Sequence, residues 1–180
     1  MGDSGRVSTS ARYLDPSGAG GGDAWGAEAA AAGRRGSQRV VEAGEVVAPE
    51  PVADLFGIAH GQRVIARRRV MYLDGEPCEL TDTYYPLEIA RGTGLAGVSR
   101  IRGGAVRLLA ELGHVGVRAR EDVTARMPTG SERAGLALEA GQPVLELTRL
   151  TLDDGDRAIQ VDVMVMVPRR GQLRYEIGIG

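Results

Sequence analysis

Three groups of residues in this sequence have the types and spacing to do chemistry. Three consecutive arginines, Arg67, Arg68 and Arg69, precede a run that carries Glu79, Thr81 and Thr83. A second run alternates Ile159, Val161, Val163, Val165 and Val167 with Gln160, Asp162, Met164 and Met166. A short N-terminal segment sets the hydroxyls of Ser8, Thr9 and Ser10 beside Arg12 and Tyr13. Guanidinium groups recognise carboxylate and phosphate oxygens in pairs. Hydroxyls and amides fix polar ligand atoms, and thioethers adapt to a ligand's outline. These groups fit a pocket for a small polar or anionic molecule. The bland alternatives are a solvated sheet face for the alternating run and a solvated linker, in place of a lid, for the N-terminal segment.

The elements that must position these residues are strands. Residues 64–72 and 78–85 are β-prone runs around Asp74-Gly75, which reads as a hairpin. Strand side chains alternate faces, so Arg67 and Arg69 share one face and Arg68 takes the other, while Glu79, Thr81 and Thr83 share a face of the second strand. Whether the two sets are cross-strand neighbours depends on turn length. If they are, two arginines and two hydroxyls converge without a nearby acid, which favours an anionic or neutral polar ligand over a cation. On the last long strand the β-branched set, Ile159 to Val167, faces the core, and Gln160, Asp162, Met164 and Met166 face a pocket or water.

Around these lie a helix over 23–32, with Asp23 as N-cap and Trp25 as anchor, and a strand over 37–47. A helix opened by Pro49 ends at Gly57, and another spans 105–112. A strand covers 115–127, and Thr129 and Glu132 form a capping box for a helix reaching Leu138. Strands follow over 142–152 and 157–167, around an Asp153–Asp156 turn, and Leu173–Ile179 can add a last one. Gly61-Gln62 before an arginine-containing strand and an Asp-Gly turn recurs as Gly141-Gln142 before a strand with Arg149 and then Asp154-Gly155. This order predicts an α+β domain, a mostly antiparallel sheet with helices on one face. Residues 1–22, rich in Gly and Ser, read as a flexible arm before a single domain over 23–180.

The chain has 180 residues, 43% hydrophobic and 26% charged, which suits one core. Its net charge of -2 argues against a stand-alone nucleic-acid binder. All 22 basic residues are arginine, which reflects coding bias. The single cysteine, Cys78, excludes an internal disulfide and reads as a small core residue. His60 and His114 lack metal-ligand spacing, so neither a metal nor another cofactor is expected. Arg118 and Arg120 read as surface charges. No membrane-length apolar stretch or signal core is present, which predicts a cytoplasmic protein.

The hairpin also resembles a known family. Gly57, Arg67 to Arg69, Asp74-Gly75-Glu76-Pro77 and Tyr84-Tyr85-Pro86 are similar in order and spacing to the core hairpin of the UTRA domain. That domain is the effector-binding module of HutC-like regulators in the GntR superfamily. The resemblance continues through Gly141 to Arg149 and covers about residues 40–179. It implies a chorismate-lyase-like fold, a small-molecule effector such as a sugar phosphate or carboxylate, a homodimer, and operator DNA bound only through a winged helix-turn-helix domain that this chain lacks. It implies ligand contacts at Thr81, Thr83, Gln160 and Arg174-Tyr175, and a lid from the segment holding Ser10, Arg12 and Tyr13. Two positions depart from the family: Thr81 stands where a Glu is usual, and Gln160 where an acid is common. An enzyme of the chorismate-lyase type and a purely dimerising module are the alternatives. The first lacks the carboxylates for acid-base work at Thr81 and Gln160.

Overall fold

The structure is a computed structural model that describes residues 6–8 and 24–175. Its elements in chain order are β1 (Arg6–Ser8), α1 (Ala24–Ala31), β2 (Gly36–Val47), α2 (Glu50–Phe56), β3 (Arg63–Leu73), β4 (Glu76–Pro86) and α3 (Leu87–Ala90). A 3-10 turn (Gly94–Ala96), α4 (Ala105–Glu111), β5 (Arg118–Arg126), α5 (Gly130–Gly135), β6 (Val144–Leu152) and β7 (Ala158–Met166) follow. A second 3-10 turn (Pro168–Arg170) leads into β8 (Gly171–Leu173).

Six strands form one antiparallel sheet in the order β2-β3-β4-β7-β6-β5, and β1 pairs in parallel with β8. The order is palindromic because the chain uses one unit twice. Strand, helix, hairpin runs as β2-α2-β3-β4 and again as β5-α5-β6-β7, and β4 joins β7 at the centre. The repeated Gly-Gln sits where each helix hands over to its hairpin; Gly61 and Gly141 both take positive φ, 86° and 82°. In the first hairpin Asp74 and Gly75 both have positive φ, as a type I′ turn requires. Gly57 ends α2 in the left-handed conformation, its N–H reaching the carbonyls of Ala53 and Asp54.

One face of the sheet carries α2 and α5. Val52 and Ala53 of α2 pack with Val64, Ala66, Tyr84, Leu150 and Val161, and Leu136 after α5 packs with Val144, Val165 and Val167. The helical cover is wider than the sequence implied, because the other face is capped at its two ends. Ile65, Tyr85 and Ile159 meet Ile89, Ala90, Leu95 and Leu109, which come from α3, the first 3-10 turn and α4. At the far end Trp25 and Ala29 of α1 lie on Met71, Leu73 and Cys78. Ile159 therefore leaves the set it was expected to join. Ladder pairing shifts between Thr151 and Leu152, so Ile159 turns toward α4 while Val161 and Val165 keep the α2 and α5 side.

Boundaries moved modestly. A strand covers Gly171–Leu173 and does not include Arg174 or Tyr175, while residues 176–179 of the strand expected over Leu173–Ile179 lie outside the described residues; the strand expected from Val115 begins at Arg118, with the Val117 N–H donating to the Leu152 carbonyl at 2.9 Å. The helix expected from Asp23 begins at Ala24, and Asp23 lies outside the described residues. No helix among the described residues is long and apolar enough to cross a membrane.

Two local devices lend themselves to measurement. Trp25, the only tryptophan, is 1% exposed and donates from Nε1 to the Tyr72 carbonyl at 3.1 Å. A Cβ on Gly36 would meet the Trp25 ring and the Ala29 methyl at 2.8 Å. Gly36→Ala should cost roughly 1–3 kcal/mol and loosen α1. A red-shifted Trp25 fluorescence maximum and a lower melting temperature are the expected readouts, and an unchanged spectrum would count against this docking. The capping box is present as expected: the Glu132 N–H donates to Thr129 Oγ1 at 3.2 Å and the Thr129 N–H to Glu132 Oε2 at 2.7 Å. Arg126 joins it with bonds to Glu132 and Glu146. These bonds, Arg126 first, hold the Glu132 carboxyl at about 2, below its ordinary 4.5. A depressed folded pKa means stability that is full above about 4.5 and lost as pH falls toward about 2. Glu132→Gln should destabilise by about 1 kcal/mol at pH 7, given the partial exposure of the pair, and its deficit should vanish in urea titrations near pH 2.

Candidate functional site

The middle of the face between α1 and α4 is polar. Ladder register aligns Arg67, Thr83, Asp162, Arg149 and Glu121 in one row across β3, β4, β7, β6 and β5. The next row holds Arg69, Thr81, Met164, Leu147 and Val123. The hairpin register thus brings the arginines and hydroxyls together. The expectation that no acid lies nearby is corrected by the β4–β7 pairing, which sets Asp162 directly opposite Thr83.

A hydrogen-bond chain links the two halves. Arg69 Nη2 donates to Thr83 Oγ1 at 3.1 Å, Thr83 Oγ1 donates to Asp162 Oδ1 at 2.7 Å, and Gln160 Nε2 donates to Asp162 Oδ2 at 2.7 Å. Thr81 Oγ1 donates to Glu79 Oε1 at 2.6 Å. Thr81, Thr83, Gln160 and Asp162 are all buried, so each bond forms in a medium where an unmade one would cost roughly 1–3 kcal/mol. The three arginines of β3 have three different duties. Arg67 is 5% exposed and ties down the loop after the first 3-10 turn, donating from Nη1 to the Gly97 carbonyl and from Nη2 to the Ser99 carbonyl at 2.8 Å. Burial, above all, lowers its pKa; Tyr85 opposes this and Arg69 adds to it. Arg68 points to the opposite face, toward Glu42 Oε2 at 2.7 Å and Asp82 Oδ2 at 3.4 Å. Arg69 is the least committed. Its Nη1 reaches Gln38 Oε1 at 3.3 Å, and its buried Nε has no hydrogen-bond partner among the described residues.

Three participants were not assigned to the site from the sequence. Arg149 and Glu121 extend the polar row as a buried ion pair, Nε to Oε1 at 2.5 Å. The internal repeat, which puts Arg149 on the strand after Gly141-Gln142, was the available signal. Tyr85 is 1% exposed, and its phenol is pushed above its ordinary pKa by burial and then by Asp162, with Arg69 and Arg67 pulling the other way. Those neighbours place its hydroxyl at the polar row.

Other expected site residues lie elsewhere. Tyr175 is 53% exposed and donates to Glu121 Oε2 at 2.8 Å, at the outer end of the row. Arg174 is exposed and is not drawn into the polar centre, because β8 stops at Leu173. Ser10, Arg12 and Tyr13 lie outside the described residues. Arg118 and Arg120 are surface groups, near Asp156 and Asp122 respectively. Among the described residues no cluster of three or more His, Cys, Asp and Glu side chains could hold a metal.

Comparison with known proteins agrees with this arrangement. The UTRA domain family matches residues 31–170. An uncharacterized HTH-type transcriptional regulator of Streptomyces coelicolor is 32% identical over 162 residues, covering 85% of this chain and 59% of the relative. The chain thus spans about three-fifths of that curated relative. Among solved structures, the effector domain of PhnF from Mycobacterium smegmatis superposes with a TM-score of 0.73 at 23% identity, covering 89% of this chain and 98% of that one. The C-terminal domain of the histidine utilization repressor of Pseudomonas syringae gives 0.66 at 18% identity, covering 81% and 100%. These two bear on the fold alone. The relatives are transcriptional regulators and domains of regulators, not enzymes. The palindromic sheet, the arginine-bearing hairpin and the family match agree: this chain belongs to the UTRA domain family.

Proposed function

We propose that the polar centre of the sheet binds a small anionic or polar metabolite, and that this chain is the sensing and dimerising part of a HutC-like regulator acting in the cytoplasm. The observation that carries the reading is Arg69. Its buried Nε has no hydrogen-bond partner among the described residues, and the side chain is otherwise held by bonds of 3.1 and 3.3 Å, which suits a guanidinium that receives an anion oxygen. Thr81, Thr83, Asp162 and Gln160 surround it with hydroxyl, carboxylate and amide groups that fix orientation. The segment holding Ser10, Arg12 and Tyr13 is proposed as the lid, and Tyr175 and Arg174 as rim groups.

In the complete regulator the ligand acts by preferring one arrangement of two DNA-binding heads carried by the dimer, since a ligand shifts an equilibrium only through differential affinity. DNA contact belongs to a helix-turn-helix domain rather than to this chain, whose net charge is -2. A chorismate-lyase-like reaction is not favoured: the relatives are regulators, and the carboxylates nearest the arginines are tied up by Thr81, Thr83 and Gln160.

A thermal-melt screen against sugar phosphates, di- and tricarboxylates, amino acids and neutral sugars tests the reading. A ligand at about 100 times its dissociation constant stabilises by roughly 2.7 kcal/mol. One anionic class should raise the melting temperature of the wild type and leave Arg69→Ala unmoved. Arg67→Ala, by contrast, should melt lower even without ligand, because it frees the loop at Gly97 and Ser99. Flat melts across every class would reject the sensor reading in favour of a purely dimerising module.

A further inference from the structure

A small cavity lies beside Gln160, at one end of the polar centre. It lies between α4 and the irregular end of the β6–β7 pair, lined by Val106, Leu109 and Ile159 on its apolar side and by His114, Thr151 and Gln160 on its polar side. It has room for about one water-sized group. Thr151 is 6% exposed, and its Oγ1 has no hydrogen-bond partner among the described residues. A buried hydroxyl left unpaired costs stability, so a feature of this kind calls for an occupant. Gly116 forms the remaining wall, so close that a Cβ there would stand 2.5 Å from Thr151 Cγ2.

The cavity joins the effector site through Gln160. Thr151 and Gln160 are ladder partners that both line the cavity, and Gln160 donates from Nε2 to Asp162. We infer that this cavity receives a single hydroxyl or amino group of the effector, held by Thr151 Oγ1, the Gln160 amide oxygen and the His114 ring. The inference rests on the ligand-sensing reading and sharpens it: the anionic end of the effector meets Arg69, and a hydrogen-bonding tip lies beyond Asp162. Thr151 is then a specificity-determining residue. A methyl tip would leave three polar groups unpaired, and anything larger than a water-sized group would meet Leu109 and Ile159.

The test uses 5-hydroxypentanoate and pentanoate as probes, because a five-carbon acid can set its carboxylate on Arg69 and follow the Thr83–Asp162–Gln160 chain to the cavity. Wild type should bind the hydroxy acid about tenfold more tightly, by NMR titration, and Thr151→Val should abolish that preference. Arg69→Ala should weaken both acids equally; if it leaves both unchanged, the anion site falls while the Thr151→Val comparison still judges the cavity. Equal binding of the two acids by wild type, a preference that survives Thr151→Val, or no binding of either acid would overturn the assignment. A second readout needs no ligand. Removing an unpaired hydroxyl from an isosteric side chain should raise the melting temperature of the free domain by about 2 °C or more. A Thr151→Val protein that melts lower would show that the hydroxyl already has a partner.

Discussion

The pairing of β4 with β7 is the contact on which the rest of this structure depends. Each three-stranded unit is a local object: β2 to β4 and β5 to β7 are built from hairpins and short helical connections. Alone, each would expose an edge at β4 or β7 and half of a hydrophobic face. Joining those edges buries Val161 with Val64 and Ala66 on one side, and sets Thr83 opposite Asp162 on the other. A one-residue slip would send Asp162 into the packing under α2 and Val161 into the polar centre. Register is therefore specified by both faces at once.

That constraint explains how charged groups survive inside the sheet. Arg67, Arg149, Glu79 and Asp162 are all buried, which is tolerated only where hydrogen bonds replace hydration. Carbonyls of the 97–99 loop serve Arg67, Glu121 serves Arg149, Thr81 serves Glu79, and Thr83 with Gln160 serves Asp162. Among the described residues, the buried atoms left without a hydrogen-bond partner include Arg68 Nε on the opposite face and, on the polar face, Arg69 Nε and the Thr151 hydroxyl. A domain stabilised for its own sake would have filled both with apolar groups. Under the proposed ligand-sensing role, a bound effector would supply the missing partners.

The duplicated unit also accounts for the division of labour between the faces. α2 and α5 occupy equivalent places and cover the same face, so that face is closed by repetition. The other face receives elements that are not repeated, α1 at one end and α3 with α4 at the other, and the gap between them is where the polar rows lie. Arg69 and Arg149 hold equivalent places in the two units and both face that gap, the first bonded to Thr83 and Gln38 and the second closed in an ion pair with Glu121.

The sequence by itself determined the elements and the faces. Alternation in 64–72, 78–85 and 158–167, the Asp-Gly turn, the Thr129–Glu132 box and the glycine stops all act over a few residues, where backbone geometry and side-chain capping decide the outcome. The pairing of Arg67 and Arg69 with Thr83 and Thr81 needed the two-residue turn and also a one-residue bulge at Cys78, where the ladder shifts between Met71 and Tyr72. Tertiary structure alone decided what stands beside them. Asp162 meets Thr83 across 79 positions of chain, Arg149 finds Glu121 on a different strand, and the Thr151 cavity exists because a ladder irregularity turns Ile159 toward α4. Such contacts depend on how two separately legible units close on each other, and no local preference encodes that closure.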